Sequence, residues 1–374
     1  MKAFVTGGTG LLGINLIRHL AAEGHEVRTL VRSKEKAEKL LGDIGAELIV
    51  GDMESVEAFA PSLHGCDTLF HTAAYFRETF APGKHWPMLE RINVTNTVRL
   101  FEQAERHGIG RIVHTSSNAT IRKRKDGAPS DETDVASPDE ALNDYGRSKI
   151  IGDQAIALFS ERSKLPVVSM KPAWMIGPWD AAPTSGGKLV LDFMNRRLPG
   201  VIADSGIDVV DPRDVAEAMT MAVQTIQHTD SFILSACHVS QRELLQVLEE
   251  VTGIPAPTRQ FSKGMLLAAA WAAERYAALT GKTLALSVNG VRSVTNKRRT
   301  SAAKAERMFG VKFRPLTETI RDTVDWYRNH SIIEQLDCPL CQNGHDMVGH
   351  LLCRELALSS APIRCCSKYG PTGH

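Results

Sequence analysis

A strand-like run, Lys2–Thr6, breaks into Gly7-Gly8-Thr9-Gly10-Leu11-Leu12-Gly13. The next stretch has helical spacing, with Leu16, Ile17 and Leu20 on one side and Gly24 as the stop. Read from Gly8 the glycines fall as G-x-G-x-x-G, and from Gly7 as G-x-x-G-x-x-G. Either spacing permits a tight turn and close backbone approach, and the helix start aims unpaired N–H groups at a pyrophosphate. A strand before and a helix after is the context in which such a motif binds a dinucleotide. The reading places a cofactor cradle at Gly7, Thr9, Gly10, Leu11, Leu12 and Gly13.

The alternation continues. Glu26–Val31 reads as a second strand and ends at Arg32-Ser33-Lys34. A free ribose 2′-hydroxyl is usually met there by an acid, about 20 residues past the glycines. Arg32 stands there instead, with Lys34 and Arg28 close by, and a guanidinium suits a 2′-phosphate. The expected cofactor is therefore NADP(H); the alternative is a solvated basic edge. Glu47–Val50 is a third strand ending at Gly51-Asp52-Met53, where Asp52 and Met53 could flank the adenine. Thr68–His71 runs into Thr72-Ala73-Ala74, small residues beside which a cofactor could lie. A long helix, Met88–His107, holds Asn93, and a fifth strand, Arg111–Thr115, ends in Ser116-Ser117-Asn118. Regular alternation of this kind means an α/β, Rossmann-like, doubly wound parallel sheet with ligands at the C-terminal ends of its strands.

Tyr145 and Lys149, four positions apart at the start of an apolar helical run, share one helix face. A cation near a phenol makes a proton donor and acceptor of a group that otherwise titrates near ~10. Bringing the phenol to neutral pH takes about 3 units, roughly 4 kcal/mol. One cation ~4 Å away, at an effective dielectric of about 20, supplies that much; at a longer distance the charge of an oxidised nicotinamide must help. Ser117 would hydrogen-bond a carbonyl oxygen and the alkoxide developing on it. Singly these residues read as a strand-end cap and a packed helix face. Together, behind a phosphate turn, they read as a catalytic set.

Composition closes off other classes. The 44 lysines and arginines against 43 acids leave a net charge of +1, without the clustered basic excess of a nucleic-acid binder. The longest apolar run, Met265–Ala273, stops at Glu274 and Arg275, far short of a membrane span. No charged-then-apolar leader is visible, so a cytoplasmic location is expected. After Pro172 come Trp174, Met175 and Trp179, a small-residue loop at 181–187, and a helix Lys188–Arg197. With Tyr75, Phe76, Arg77 and Asn118 these would line a substrate cleft. The tryptophans and the methionine favour a flat or apolar substrate, the alternative being simple core. Arg77, Arg196 and Arg197 could meet an anion.

The expected organisation is a cofactor domain at 1–172, with 200–235 returning to it, and a smaller C-terminal substrate-binding α/β region from 173–199 and 236–330. An atypical tail, 331–374, completes the chain. Five of the seven cysteines lie in the last 37 residues. Cys338, Cys341, His345, His350 and Cys353 have loosely metal-like spacing, but no second regular knuckle accompanies them. An unstructured appendage or a shifted reading frame is the alternative, and no metal site is assigned.

These motifs resemble the extended short-chain dehydrogenase/reductases, the NAD(P)-dependent epimerase/dehydratase superfamily, over about residues 1–330. The matching pieces, in family order, are Thr6–Gly13, Gly51-Asp52, His71–Ala74, Asn93-Val94, Thr115–Ser117, Tyr145–Lys149, Lys171-Pro172 with Gly177-Pro178, and Asp211–Ala216. Arg32 and the stretches Leu279–Lys282, Ala305–Gly310 and Thr317–Tyr327 make the chain most similar to the dihydroflavonol 4-reductase and 3β-hydroxysteroid dehydrogenase-like branch. The resemblance implies that Ser117, Tyr145 and Lys149 occupy the catalytic positions, with Lys149 also on the nicotinamide ribose. It places Thr72, Ala73, Ala74, Asn93, Ser116 and Pro172 along the cofactor, and Asp211 and Asp214 at a closing structural turn. It further implies a homodimer through Met88–His107 and Tyr145–Arg162. Lys171 stands where an arginine is common, with little consequence expected, and the basic loop Ile121–Lys125 has no evident reason.

The function expected is NADPH-dependent reduction of a ketone or aldehyde, or oxidation of a secondary alcohol. The alternatives are a nucleotide-sugar epimerase and a non-catalytic NADP(H)-binding regulator. Asn118-Ala119 stands where the family's dehydratases carry Asp-Glu, which speaks against dehydration. Arg32 speaks against the tightly held NAD of an epimerase, and the retained Tyr145 and Lys149 against a regulator.

Overall fold

A computed structural model describes residues 1–76, 85–280 and 288–330. Arg77, Gly281, Lys282 and the cysteine- and histidine-bearing tail lie outside the described residues. The strands are β1 (Lys2–Thr6), β2 (Glu26–Val31), β3 (Glu47–Val50), β4 (Thr68–His71), β5 (Arg111–Thr115) and β6 (Val167–Pro172). After them come β7 (Trp174–Met175), β8 (Val201–Ile202), β9 (Ile207–Val210), β10 (Asp230–Leu234), β11 (Cys237–Val239) and β12 (Gln260–Phe261). The first five have the bounds expected from sequence.

Seven strands form one sheet in the order β10-β6-β5-β4-β1-β2-β3, every pairing parallel. Consecutive residues of the central strands are buried alike, as in Phe4-Val5, Leu69-Phe70, Ile112-Val113 and Val167-Val168. Strands covered by helices on both faces have no reason to alternate. The strand order reverses between β1 and β4, and there the crevice of a doubly wound sheet opens.

Two helices differ from expectation. The helix expected at Met88–His107 begins at Trp86 and is interrupted by one π-helical turn, Arg91–Thr95. Asn93 sits in that turn: its Oδ1 accepts the Tyr75 N–H at 2.8 Å, and its Nδ2 donates to the Tyr75 carbonyl and the Ser148 hydroxyl, each at 3.1 Å. Gly152 lets the helix Asp144–Arg162 close on the turn, since a Cβ there would stand 2.9 Å from the Asn93 carbonyl oxygen. The helix expected at Lys188–Arg197 runs instead from Ser185 to Met194. The Thr184 hydroxyl accepts the Gly187 N–H at 3.3 Å and fixes the earlier start.

The sheets β11-β9-β7 and β12-β8 pack near the helices Ser185–Met194, Gln241–Thr252 and Leu316–Asn329 around a further apolar core. Val209, Leu245, Leu248, Ile320, Val324 and Tyr327 fill it. Asp211 and Asp214 tie this part to the large sheet's helices. Asp211 accepts the Arg213 N–H and the Thr319 hydroxyl at 2.8 Å each, and Asp214 accepts the Arg314 N–H at 2.8 Å. Among the described residues no helix is long and apolar enough to cross a membrane, and no group of three or more His, Cys, Asp or Glu side chains could hold a metal ion.

Candidate active site

A cleft of about 540 Å³ runs across the C-terminal ends of the strands. Its floor is the glycine turn. Gly7 has φ +76°, and a Cβ there would stand 2.7 Å from the Ala73 amide nitrogen, so β1 and β4 meet over a glycine. A Cβ on Gly13 would overlap the Gly7 carbonyl oxygen. Gly10 differs, because the one atom a Cβ there would meet is that carbonyl oxygen, at 3.3 Å. Gly10 also caps the helix Leu11–Ala22 without any side-chain hydrogen bond. The first-turn N–H groups are thus left for a ligand, and the cradle fits a pyrophosphate.

Of the three basic residues expected beside the ribose, Arg32 alone lines the cleft. It is exposed and makes no ion pair among the described residues. Lys34 pairs with Glu38 at 3.8 Å outside the lining. Arg28 is engaged by Glu47 at 2.8 Å and by the Ser62 and His64 carbonyls. Asp52 and Met53 line the next stretch. The Asp52 carboxylate accepts the Glu54 N–H at 2.8 Å, and Asn96 donates to the Met53 carbonyl at 2.7 Å. Thr72, Ala73 and Ala74 come next, with the Thr72 hydroxyl donating to the Thr6 carbonyl at 2.7 Å. Asn93 lies behind this wall rather than in it, where its side chain braces Tyr75. Ser116 and Pro172 also line the cleft.

Ser117, Tyr145 and Lys149 line one wall together. Asn143 starts the helix Asp144–Arg162 by accepting the Gly146 N–H at 2.8 Å, which sets Tyr145 in its first turn. The Ser117 hydroxyl accepts the Ala119 N–H at 3.1 Å, and its proximity to the Tyr145 phenol works to lower that group's pKa. Lys149 is buried and donates to the Thr115 carbonyl at 2.9 Å. Its Nζ is 5.9 Å from the Tyr145 ring centroid. At that distance Lys149 alone falls short of bringing the phenol to neutral pH. Desolvation dominates and pushes the phenol above its usual range, Ser117 opposes that, and Asp153 adds to it. Burial also brings Lys149 down to about 8, with the Asp153 carboxylate raising it and Lys171 lowering it.

Asp153 is absent from the set expected from sequence, although its position four residues after Lys149 puts it on the same helix face. It accepts the Ser116 hydroxyl at 2.7 Å and pairs with Lys171, which also donates to the Thr120 hydroxyl at 2.9 Å. Lys171 is therefore part of a buried polar network below the wall that carries Ser117, Tyr145 and Lys149. Such a network is costly to open from one side.

At the substrate end the lining includes Tyr75, Phe76, Asn118, Trp174 and Met175. The Phe76 and Tyr145 rings are 4.6 Å apart, and the Trp174 indole N–H donates to the Ser185 hydroxyl at 2.9 Å. Trp179 is not in the lining. It has φ +70°, lies 3.5 Å under the Arg18 guanidinium and packs 6.0 Å from Trp326. Arg196 and Arg197 are absent from the lining as well.

Arg298 and Asp208, which carry no local signal in the sequence, stand in the lining. Arg298 donates to the Asn118 and Ile121 carbonyls, the latter at 2.8 Å. Asp208 accepts from Thr300 and pairs with His238 at 2.7 Å. The basic loop after Ile121 now has its reason. Lys123 donates to the Asn296 carbonyl at 2.7 Å, Arg124 pairs with Asp131 and Asp134, and Ser130 exchanges backbone hydrogen bonds with Arg299 and Ser301.

Fold and cleft together define a dinucleotide-binding enzyme architecture with its ligand site at the sheet's switch point. The chain belongs to the NAD dependent epimerase/dehydratase family, whose model matches residues 3–234, within the extended short-chain dehydrogenase/reductases. A relative from Synechocystis sp. that carries the provisional name dihydroflavonol 4-reductase is 32% identical over 335 residues, 88% of this chain and 96% of its own. Sterol demethylase protein B of Methylococcus capsulatus is 29% identical over 337 residues, 89% of this chain and 100% of its own. The crystal structure of gox2253 superposes with a TM-score of 0.76 at 28% identity, covering 88% of this chain and 98% of that one.

Proposed function

We propose that the chain is an NADP(H)-dependent oxidoreductase that interconverts a ketone or aldehyde and its alcohol, and that it runs as a reductase. The observation that carries the reading is that Ser117, Tyr145 and Lys149 share a cleft with an uncapped helix N-terminus and with Arg32. When bound, the nicotinamide supplies the hydride. Arg32 takes the 2′-phosphate, and the N–H groups after Gly10 take the pyrophosphate. Ser117 donates to the carbonyl oxygen, where negative charge grows. Tyr145, kept protonated by burial, gives its proton to that oxygen. Lys149, fixed by the Thr115 carbonyl, holds the ribose and stabilises the phenolate left behind. Oxidation would need the phenolate at the outset, and the charge of an oxidised nicotinamide would have to stabilise it against burial. Phe76, Trp174 and Met175 suit a flat, apolar substrate, in keeping with the names of the two relatives.

The test is a titration with NADPH and NADH, then NADPH oxidation on flavonoid, steroid, aliphatic-ketone and nucleotide-sugar panels. Tighter NADPH binding and turnover on cyclic apolar ketones are expected. Equal affinity for the two cofactors, or conversion of nucleotide sugars without net NADPH consumption, would overturn the reading.

A further inference from the structure

The helix Lys263–Thr280 packs chiefly on the helix Val288–Thr295. Its more buried residues, Leu266, Leu267, Ala270, Ala273 and Ala277, recur at helical spacing. The rest of its surface is nearly as apolar. Met265, Trp271, Tyr276 and Leu279 are exposed at 55%, 58%, 47% and 88%, with Ala268, Ala269 and Ala272 exposed among them. An ordinary surface helix turns charge to water here. The one acid on this helix, Glu274, accepts the Val288 N–H at 2.9 Å and so caps the neighbouring helix. Arg275 lies 5.5 Å over the Trp271 ring.

The charge of this segment is equally one-sided. Residues 263–299 hold seven lysines and arginines and a single acid, in a chain whose net charge is +1. Lys297 pairs with Asp204 and Arg298 turns into the cleft, which leaves Lys263, Arg275, Arg292 and Arg299 exposed among the described residues. Lys123 fastens the basic loop to the same segment through the Asn296 carbonyl. Apolar side chains with Trp and Tyr among them, beside a concentration of Lys and Arg, are the chemistry of an anionic bilayer's interface. A second copy of the chain fits less well, because a two-fold contact through this face would set its positive charge against itself.

We infer that the helical pair Lys263–Thr280 and Val288–Thr295 docks the protein on an anionic phospholipid surface, with the first helix lying in the plane of the interface. At 18 residues that helix is about 27 Å long, and its apolar run is too short to cross a bilayer. The location matters for the cleft. Ser293, Asn296 and Arg298, in and just after the second helix, line its substrate end. A membrane-dissolved ketone would then reach Tyr145 with little passage through water; this consequence rests on the proposed reductase reading, whereas the docking does not.

The test is co-sedimentation of the full chain with vesicles of phosphatidylcholine alone or mixed with phosphatidylglycerol, without cofactor or substrate. Binding to the anionic vesicles is expected, and about tenfold less binding to neutral vesicles or in high salt. Trp271→Ser with Leu279→Ser should lower the bound fraction about tenfold or more, and Arg292→Glu with Arg299→Glu about tenfold. Both pairs should keep the wild-type melting temperature and turnover of a water-soluble ketone. Binding unchanged in the folded double variants, or a folded wild type that ignores anionic vesicles, would overturn the inference. So would a wild-type dimer that Trp271→Ser with Leu279→Ser dissociates without any vesicle binding, since the face would then belong to a second copy.

Discussion

At the end of the cleft that holds the glycine turn, the walls are the termini of adjacent strands. Gly7, Arg32, Asp52 and Thr72 come after β1, β2, β3 and β4, and sheet register sets their spacing. At the substrate end, the walls are brought from separate segments by single contacts, such as Arg298 on the Asn118 carbonyl across 180 residues. The first kind of wall is inherited from the fold and tolerates few changes. The second kind depends on a handful of hydrogen bonds, so specificity can drift there while the cofactor site stays intact.

The sharpest way to break this contrast is at the junction of the two ends. Tyr145→Phe removes the proton donor and should lower turnover about 10³-fold, with NADPH affinity in a fluorescence titration nearly unchanged. A small loss of turnover would mean that the proton comes from elsewhere. The glycine turn gives the next largest effect, with opposite signatures at two positions. Gly13→Ala forces a side chain onto the Gly7 carbonyl and should cost about 2 kcal/mol of stability or more. Gly10→Ala should melt like the wild type yet bind NADPH about tenfold more weakly, because its methyl group enters the cradle.

Arg32→Ala should weaken NADPH binding about tenfold or more and leave NADH affinity nearly unchanged. Parallel losses for both cofactors would refute the role given to the guanidinium. The subtlest test is a pH profile. Lys149 loses its proton near pH 8, so turnover should fall above that pH. The Asp153 carboxylate raises the Lys149 pKa, so Asp153→Asn should move the falling limb to lower pH. An unmoved limb would show that Lys149 does not set it. Linkage gives a stability effect of the opposite sense. Because the folded value lies below the ordinary 10.5, the unfolded chain binds more protons between about pH 8 and 10.5. Lys149's contribution to stability therefore rises across that window.

Much of the first kind of wall was legible in the sequence, because strand ends, glycines and small residues are local signals. That Ser117, Tyr145 and Lys149 would share one cleft was also legible, from Ser117 closing a strand and from helical spacing between Tyr145 and Lys149. The electrostatics were not. A sequence shows a cation four residues from a phenol but not the burial that outweighs it. Nor does it show Arg28 spent on Glu47 or Trp179 turned toward Arg18. Arg298 and Asp208 were hidden for a different reason, since tertiary contacts alone bring them to the cleft. Asp153 was readable in principle from its helical phase, and Lys171 stood in view with its partner unseen.

The π-helical turn at Arg91–Thr95 carries one surplus residue, and its consequence is angular. In an α-helix each residue advances about 100°, so the extra one rotates everything before it relative to everything after. Met88 and Leu100 would lie about 120° apart on an unbroken α-helix; with the surplus residue, Met88 and Ile92 reach the cleft while packing on the same core as Leu100, Phe101 and Ala104. One continuous α-helix would turn one of the two stretches away from that core. Removing a single residue from the turn should swing Asn93 away from Tyr75 and uncouple the cleft wall from the helix that carries Tyr145.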